Sequence, residues 1–143
     1  ALSFVLMAEA AAAFDEFTRS DRDDLLVRQD EEAWPNLFRH SRLIPAVEYL
    51  RANRVRALAV RAVEHMMEEV DLYLSPADDE DSLLLTNLTG HPALALPNGL
   101  AADGTPTGIT VIGRLYDEAA LLGAGMAYQR LTGHHRLRPP LPR

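Results

Sequence analysis

Few residues in this chain could do chemistry, and their spacing limits what each can do. Ser3, Ser20, Ser41, Ser75 and Ser82 could each supply a nucleophilic hydroxyl. None sits in the G-x-S-x-G elbow that presents a serine between a strand and a helix, so each reads as a cap or turn residue. A zinc hydrolase needs two histidines four apart on one helix face with a glutamate between them. His65 has no such partner, and the adjacent His134 and His135 diverge on any helix. The run Asp78-Asp79-Glu80-Asp81 is the densest acidic stretch. A calcium loop of the EF-hand kind needs glycine at its sixth position and glutamate at its twelfth. Counted from Asp78, those positions hold Leu83 and Thr89. The run therefore reads as a solvated acidic loop, and neither a metal nor any other cofactor is expected. Glu68-Glu69 and Asp117-Glu118 read as a helix face and a helix start rather than acid–base pairs. Asn87-Leu88-Thr89 matches the N-glycosylation pattern by chance, with no secretory signal to give it meaning.

Composition narrows the classes further. All 14 basic residues are arginine, so these residues offer no lysine base, Schiff base or phosphate-loop lysine. The lack of cysteine rules out disulfides, thiolate metal sites and a cysteine nucleophile, and fits a cytoplasmic protein. A formal net charge of -7 with scattered arginines argues against nucleic acid as a partner. The opening "ALSFVLMAEAAAAF" lacks a basic flank and is interrupted by Glu9, so it reads as a helix and not a signal peptide. It is also shorter than the roughly 18 apolar residues that a membrane span requires. The chain opens on Ala1 without a methionine, so trimming or truncation is expected.

The elements that must position these residues run in a clear order. Residues 2–18 read as a helix with Leu6, Ala10, Ala13, Phe14 and Phe17 on one face. "DDLLVRQ" reads as a short helix, and "AWPNLFRHSRLIP" as a stretch broken by Pro35 and Pro45. From Pro45 to Val70 a long helix is expected, with Val55, Ala59, Val63 and Met67 in one row and Leu50, Leu58, Ala62 and Met66 beside it. At 1.5 Å per residue it would be roughly 35–40 Å long, suited to lie across something wider than this chain's own sheet. Strands are expected at 71–75, 92–97 and 107–113, the last two as a hairpin, because their loop is too short for a parallel crossover. "ALAL" and "ITVI" are apolar throughout and should be covered on both faces. "TNLTG" reads as a helical turn closed by Gly90. A last helix over 117–132 starts at Asp117 and ends at Thr132-Gly133. Its expected inner face is Ala120, Ala124, Ala127 and Leu131. The Pro-rich tail reads as surface chain.

Together "VDLYLSP", "TNLTGHPALALPNG" and "DGTPTGITVIGRLYDEAALLGAGMAYQRLTGHH" resemble the amidase signature family. In its C-terminal third, that family shows a strand ending in proline, a T-N-x-x-G-x-P turn, a G-x-P-x-G-x-x-x-x-G strand and a D-E-x-x-L-L helix ending in Q-x-x-T. Here these are Asp71–Pro76, Thr86–Pro92, Gly104–Gly113, and Asp117–Leu122 with Gln129 and Thr132. The likeness is good over residues 70–135. The spacing of Arg42, Ala46, Tyr49, Leu50, Ala52 and Arg56 is also similar. The resemblance implies an α/β fold, of which this chain supplies a few strands of a mixed sheet packed by helices. It implies a single segment over residues 1–143, helical to 70, β-rich over 71–113 and closed by the last helix.

The family's implied chemistry is cleavage of carboxamides by a serine nucleophile, a second serine in a cis peptide and a lysine base. With no lysine and no Gly/Ser-rich run, this chain departs from that pattern. No catalytic residue is therefore expected within it, and the chain alone should be inactive. Its expected share is to complete the sheet and line part of the substrate pocket through Asn87, Thr89 and Gly90, with Glu80 and Asp81 just before them. The competing structural reading has Thr86 and Asn87 cap the turn, Gly90 take positive φ, and His91-Pro92 start the strand. The expected partners are an upstream catalytic segment of the same protein and a small amide substrate. A homodimer is an assembly to test, and a membrane partner is not expected. The alternative reading is a non-catalytic binding or interaction module derived from the amidase fold.

Overall fold

The structure is a computed structural model that describes residues 2–138. From residue 139 onward the Pro-rich tail lies outside the described residues. The chain divides into two compact units, one up to Ala59 and one from Val60.

The first unit is helical. α1 (Leu2–Ala13) and α2 (Asp15–Arg19) occupy the segment expected as one helix, with a break at Phe14. The buried residues of α1 are Val5 and Ala11, while Leu6, Ala13 and Phe14 of the expected inner face are exposed. A helix this rich in apolar residues carries little facial information, so neighbours and not periodicity choose its inner side. A 3₁₀ turn (Arg22–Leu25) follows. Pro35 does not break the next segment. It sits in the first turn of α3 (Trp34–Ser41), where its missing N–H costs nothing. Phe14 stacks on Phe38 at 4.8 Å between ring centres, and Trp34 lies against the same ring at 5.5 Å. Beneath the 3₁₀ turn the buried Asp23 meets Arg39 of α3 at 2.6 Å.

α4 (Ala46–Met66) crosses the division between the units. Val63 and the following Met67 are buried as their row predicts. Leu50, Leu58 and Met66, expected alongside, are exposed.

The second unit holds a three-stranded antiparallel sheet in the order β1 (Leu72–Pro76), β3 (Pro106–Gly113), β2 (Ala93–Leu100). Leu72 pairs with Gly113 and Leu94 with Val111, which sets Leu72, Leu94, Leu96, Ile109 and Val111 on one face. α6 (Glu118–Thr132) packs there through Leu121 and Tyr128. Its buried residues are Leu121 and Gly125, not the expected alanine row, and Leu131 is exposed. A Cβ at Gly125 would meet Leu94 Cδ2, so a bare backbone is what allows this close approach to the sheet. On the other face Ile112 is fully buried, but Ala93 and Ala95 of the edge strand β2 are exposed. The two-sided cover expected for "ALAL" is thus present on one side among the described residues.

The hairpin is tighter than its sequence suggests. β2 runs through Asn98-Gly99 to Leu100, with an irregularity in register between Pro97 and Leu100. Gly99 takes φ +96 there, so the Asn-Gly pair marks a bulge and the reversal falls at residues 101–105.

Candidate functional site

The stretch around Thr86–Pro92 is built by α5 (Glu80–Thr89). The acidic residues expected in a loop are its first turn. The Asp79 side chain caps it by accepting from Ser82 N at 3.3 Å, and also accepts from the buried Ser75 hydroxyl at 2.9 Å. Glu80 and Asp81 then sit at the positive end of the helix dipole, where carboxylates are stabilising. At the other end Gly90 adopts φ +87 and its N–H reaches Thr86 O at 2.8 Å. An L-residue would be strained there.

The sequence-predicted site residues therefore fall at the two ends of one helix. Glu80 and Asp81 are exposed in the first turn. Exposed Asn87, buried Thr89 and Gly90 close the last turn. The rise per residue separates the two groups by about 10 Å along the axis, so one small ligand group does not touch both. Thr86 does not cap the helix end as the structural reading expected. Its hydroxyl turns back to Ser82 O at 3.0 Å.

Instead, Thr89 is joined to a residue that the sequence marked only as a strand start. Thr89 Oγ1 lies 2.8 Å from His91 Nδ1 and donates to Leu85 O at 2.9 Å. A hydroxyl has one proton to give, so His91 Nδ1–H is the donor in this pair and the imidazole is neutral at Nε2. His91 is 5% exposed. Burial pushes its pKa below the ordinary histidine value, against an opposing pull from the Glu64 carboxylate. It lines a cavity of about 320 Å³ with Glu64, Met67, Glu68, Arg114 and Leu115. Arg114 is held in place there, donating through Nε to Met67 O at 3.0 Å and pairing with Asp71 at 3.0 Å. The only sequence sign of this cluster is a histidine directly after the helix-ending glycine.

A larger groove, of about 680 Å³, lies in the helical unit. Its charged groups are already matched. Glu9 meets the Tyr49 hydroxyl at 3.1 Å and Arg56 at 3.6 Å, and Asp15 meets Arg19 and Arg42. Among the described residues no group of three His, Asp or Glu is placed to hold a metal ion, and no helix is long and apolar enough to cross a membrane.

No protein-family model matches the chain. Individual relatives do. A Mycobacterium tuberculosis protein named as an amidase, AmiD, is 35% identical over 120 aligned positions, covering 68% of this chain and 25% of that protein. The A chain of the glutamyl-tRNA(Gln) amidotransferase of Chloroflexus aggregans is 40% identical over 114 positions, covering 66% of this chain and 23% of that protein. The chain thus spans about a quarter of the length of these curated relatives. Among solved structures, a bacterial aryl acylamidase of the amidase signature family superposes with a TM-score of 0.72 at 17% identity, over 94% of this chain and 34% of the other. An amidase family protein from Bacillus anthracis gives 0.69 at 21% identity, over 92% and 25%. The strand that ends in proline, the T-N-x-x-G-x-P turn and the Gly-rich strand all stand in one fold shared with these proteins, and the chain belongs to the amidase signature family.

Proposed function

We propose that this chain is the C-terminal segment of an amidase domain that cleaves the carbon–nitrogen bond of carboxamides. Its strands would complete the sheet, and its turn at Asn87–Gly90 would form part of the substrate pocket. The observation that carries this reading is a match to amidases along most of the chain, in a sequence that contains no lysine. A serine–serine–lysine set must then be supplied by sequence outside these 143 residues. In such a site the serine attacks the amide carbonyl, the lysine and second serine pass its proton to the leaving amine, and backbone N–H groups hold the oxyanion. This chain's contribution is the wall and not the catalyst, in a cytoplasmic protein.

Exposed apolar side chains support the same reading. Leu50 and Leu58 on α4, Leu74 on β1, and Leu122 and Met126 on α6 are each more than half exposed. A chain that folds to stand alone has reason to bury such groups.

Antibody raised against the chain, followed by intact mass of the captured native polypeptide, tests the proposal. The expected result is a polypeptide about four times as long, in keeping with the relatives, and carrying a lysine and a Gly/Ser-rich segment. A native polypeptide of 15.8 kDa with no associated amidase chain would overturn it and favour a binding module.

A further inference from the structure

The cavity beside His91 has an unmatched set of hydrogen-bond acceptors. His91 gives its Nδ1–H to Thr89, and its Nε2, on the opposite edge of the ring, makes no hydrogen bond among the described residues. The ring is 5% exposed and lines the cavity, so this lone pair is the polar atom it offers there. Glu64, on the same cavity, forms no ion pair or hydrogen bond among the described residues, and lies close enough to His91 to act on its charge. Glu68 is the second carboxylate of the rim, and shares one oxygen with the exposed His65 at 3.1 Å. Arg114, the cation of the cavity, is occupied by Asp71 and by Met67 O. Met67 is buried and Leu115 half-buried, which gives the cavity apolar walls.

An anion would face two carboxylates and a neutral imidazole acceptor here. A bare alkyl group would leave the Nε2 lone pair unanswered, which is costly at a buried site. A primary ammonium on an alkyl stem satisfies every element: its N–H groups reach Nε2 and the Glu64 carboxylate, and its methylenes lie on Met67 and Leu115. We infer that the His91 cavity is a binding site for a primary alkylammonium group, held by His91 Nε2 and Glu64. Such a group could be carried by a small amine or by a lysine side chain, and the two sources share this chemistry. The site is separate from Asn87, Glu80 and Asp81, and stands whether or not the carboxamide reading holds.

The test uses the full chain labelled with ¹⁵N at histidine and with ¹³C at methyl groups. It is titrated with n-butylammonium chloride, with sodium chloride and sodium acetate at matched ionic strength as controls. The expected result is a saturable shift of the His91 ring nitrogens and the Leu115 methyls, with a Kd on the order of 1–10 mM, as suits a partly solvated charge pair. Glu64→Gln, at an exposed position that leaves the core intact, should raise that Kd about threefold to fivefold. Glu118→Gln, far along the chain on α6, should leave it unchanged. N-acetyl-lysinamide in place of butylammonium separates the sources. Binding at least as tight points to a side chain, and weaker binding to a small amine. Shifts that sodium chloride reproduces, or a Kd indifferent to Glu64→Gln, would overturn the assignment.

Discussion

Thr89 and His91, two residues apart on either side of a left-handed glycine, are joined by a buried hydrogen bond of 2.8 Å. The turn at Gly90 is what makes this contact, because it folds the chain back so that the first residue of the incoming strand meets the last turn of the helix it left.

That pair makes stability depend on pH. The His91 pKa is lowered from 6.5 in the folded chain, first by burial and against Glu64. The unfolded chain therefore binds the proton more readily. The contribution is complete above the unfolded value near 6.5, and is lost as pH falls through it toward the folded pKa. Urea unfolding from pH 7.5 to 5 should show stability falling by up to about 1.4 kcal/mol per pH unit from this one site. His91→Gln should remove that part of the slope. A slope unchanged by His91→Gln would refute the assignment.

Asp79 holds two elements at once, capping α5 and accepting from Ser75 of β1. Asp79→Ala should cost about 1–2 kcal/mol, as loss of a cap does. Asp79→Asn should recover most of it, since an amide oxygen still accepts from Ser82 N. Chemical denaturation of the two variants distinguishes them.

Gly108 sits on β3 where a Cβ would come within 2.8 Å of Ala77 Cβ. Neither group can rotate away. Gly108→Ala should destabilise the sheet by about 1–3 kcal/mol, and the added Ala77→Gly should restore part of that loss. Non-additivity in this double-mutant cycle is the readout.

Arg39 is about one-third exposed, but its partner Asp23 is buried. The contact is an ion pair without the alignment of a hydrogen bond at Asp23 Oδ2. Arg39→Ala leaves a carboxylate buried without its partner and should cost about 3 kcal/mol, at the low end for such pairs. Asp23→Asn with Arg39→Ala should be milder than Arg39→Ala alone. Thermal unfolding that treats the two alike would contradict this account.

The order of elements was legible because its signals are local. Asp117 and Gly133 bound α6 where the capping residues put them. The hairpin follows from a loop too short to cross over. What the sequence hid was decided by neighbours. The inner face of α6 is Leu121–Gly125 because glycine lets the helix approach Leu94, and an alanine row cannot reveal that from its own periodicity. α5 extends back to Glu80 because Asp79 caps it, which makes an acidic run look like a loop until its cap is seen. The five candidate site residues were legible as types, but their division between two helix ends was not. The His91 cavity was hidden for the same reason: its residues come from 64 to 115 in sequence and meet only through the sheet.

The central claim is that these residues serve an amide-cleaving site whose catalysts lie outside them. Ammonia release from a panel of small aliphatic and aromatic carboxamides measures it most directly. The account predicts no release by the purified 143-residue chain, and release by the longer native polypeptide that contains it. Ammonia production that scales with the concentration of the chain alone, and survives its repurification, would contradict the claim.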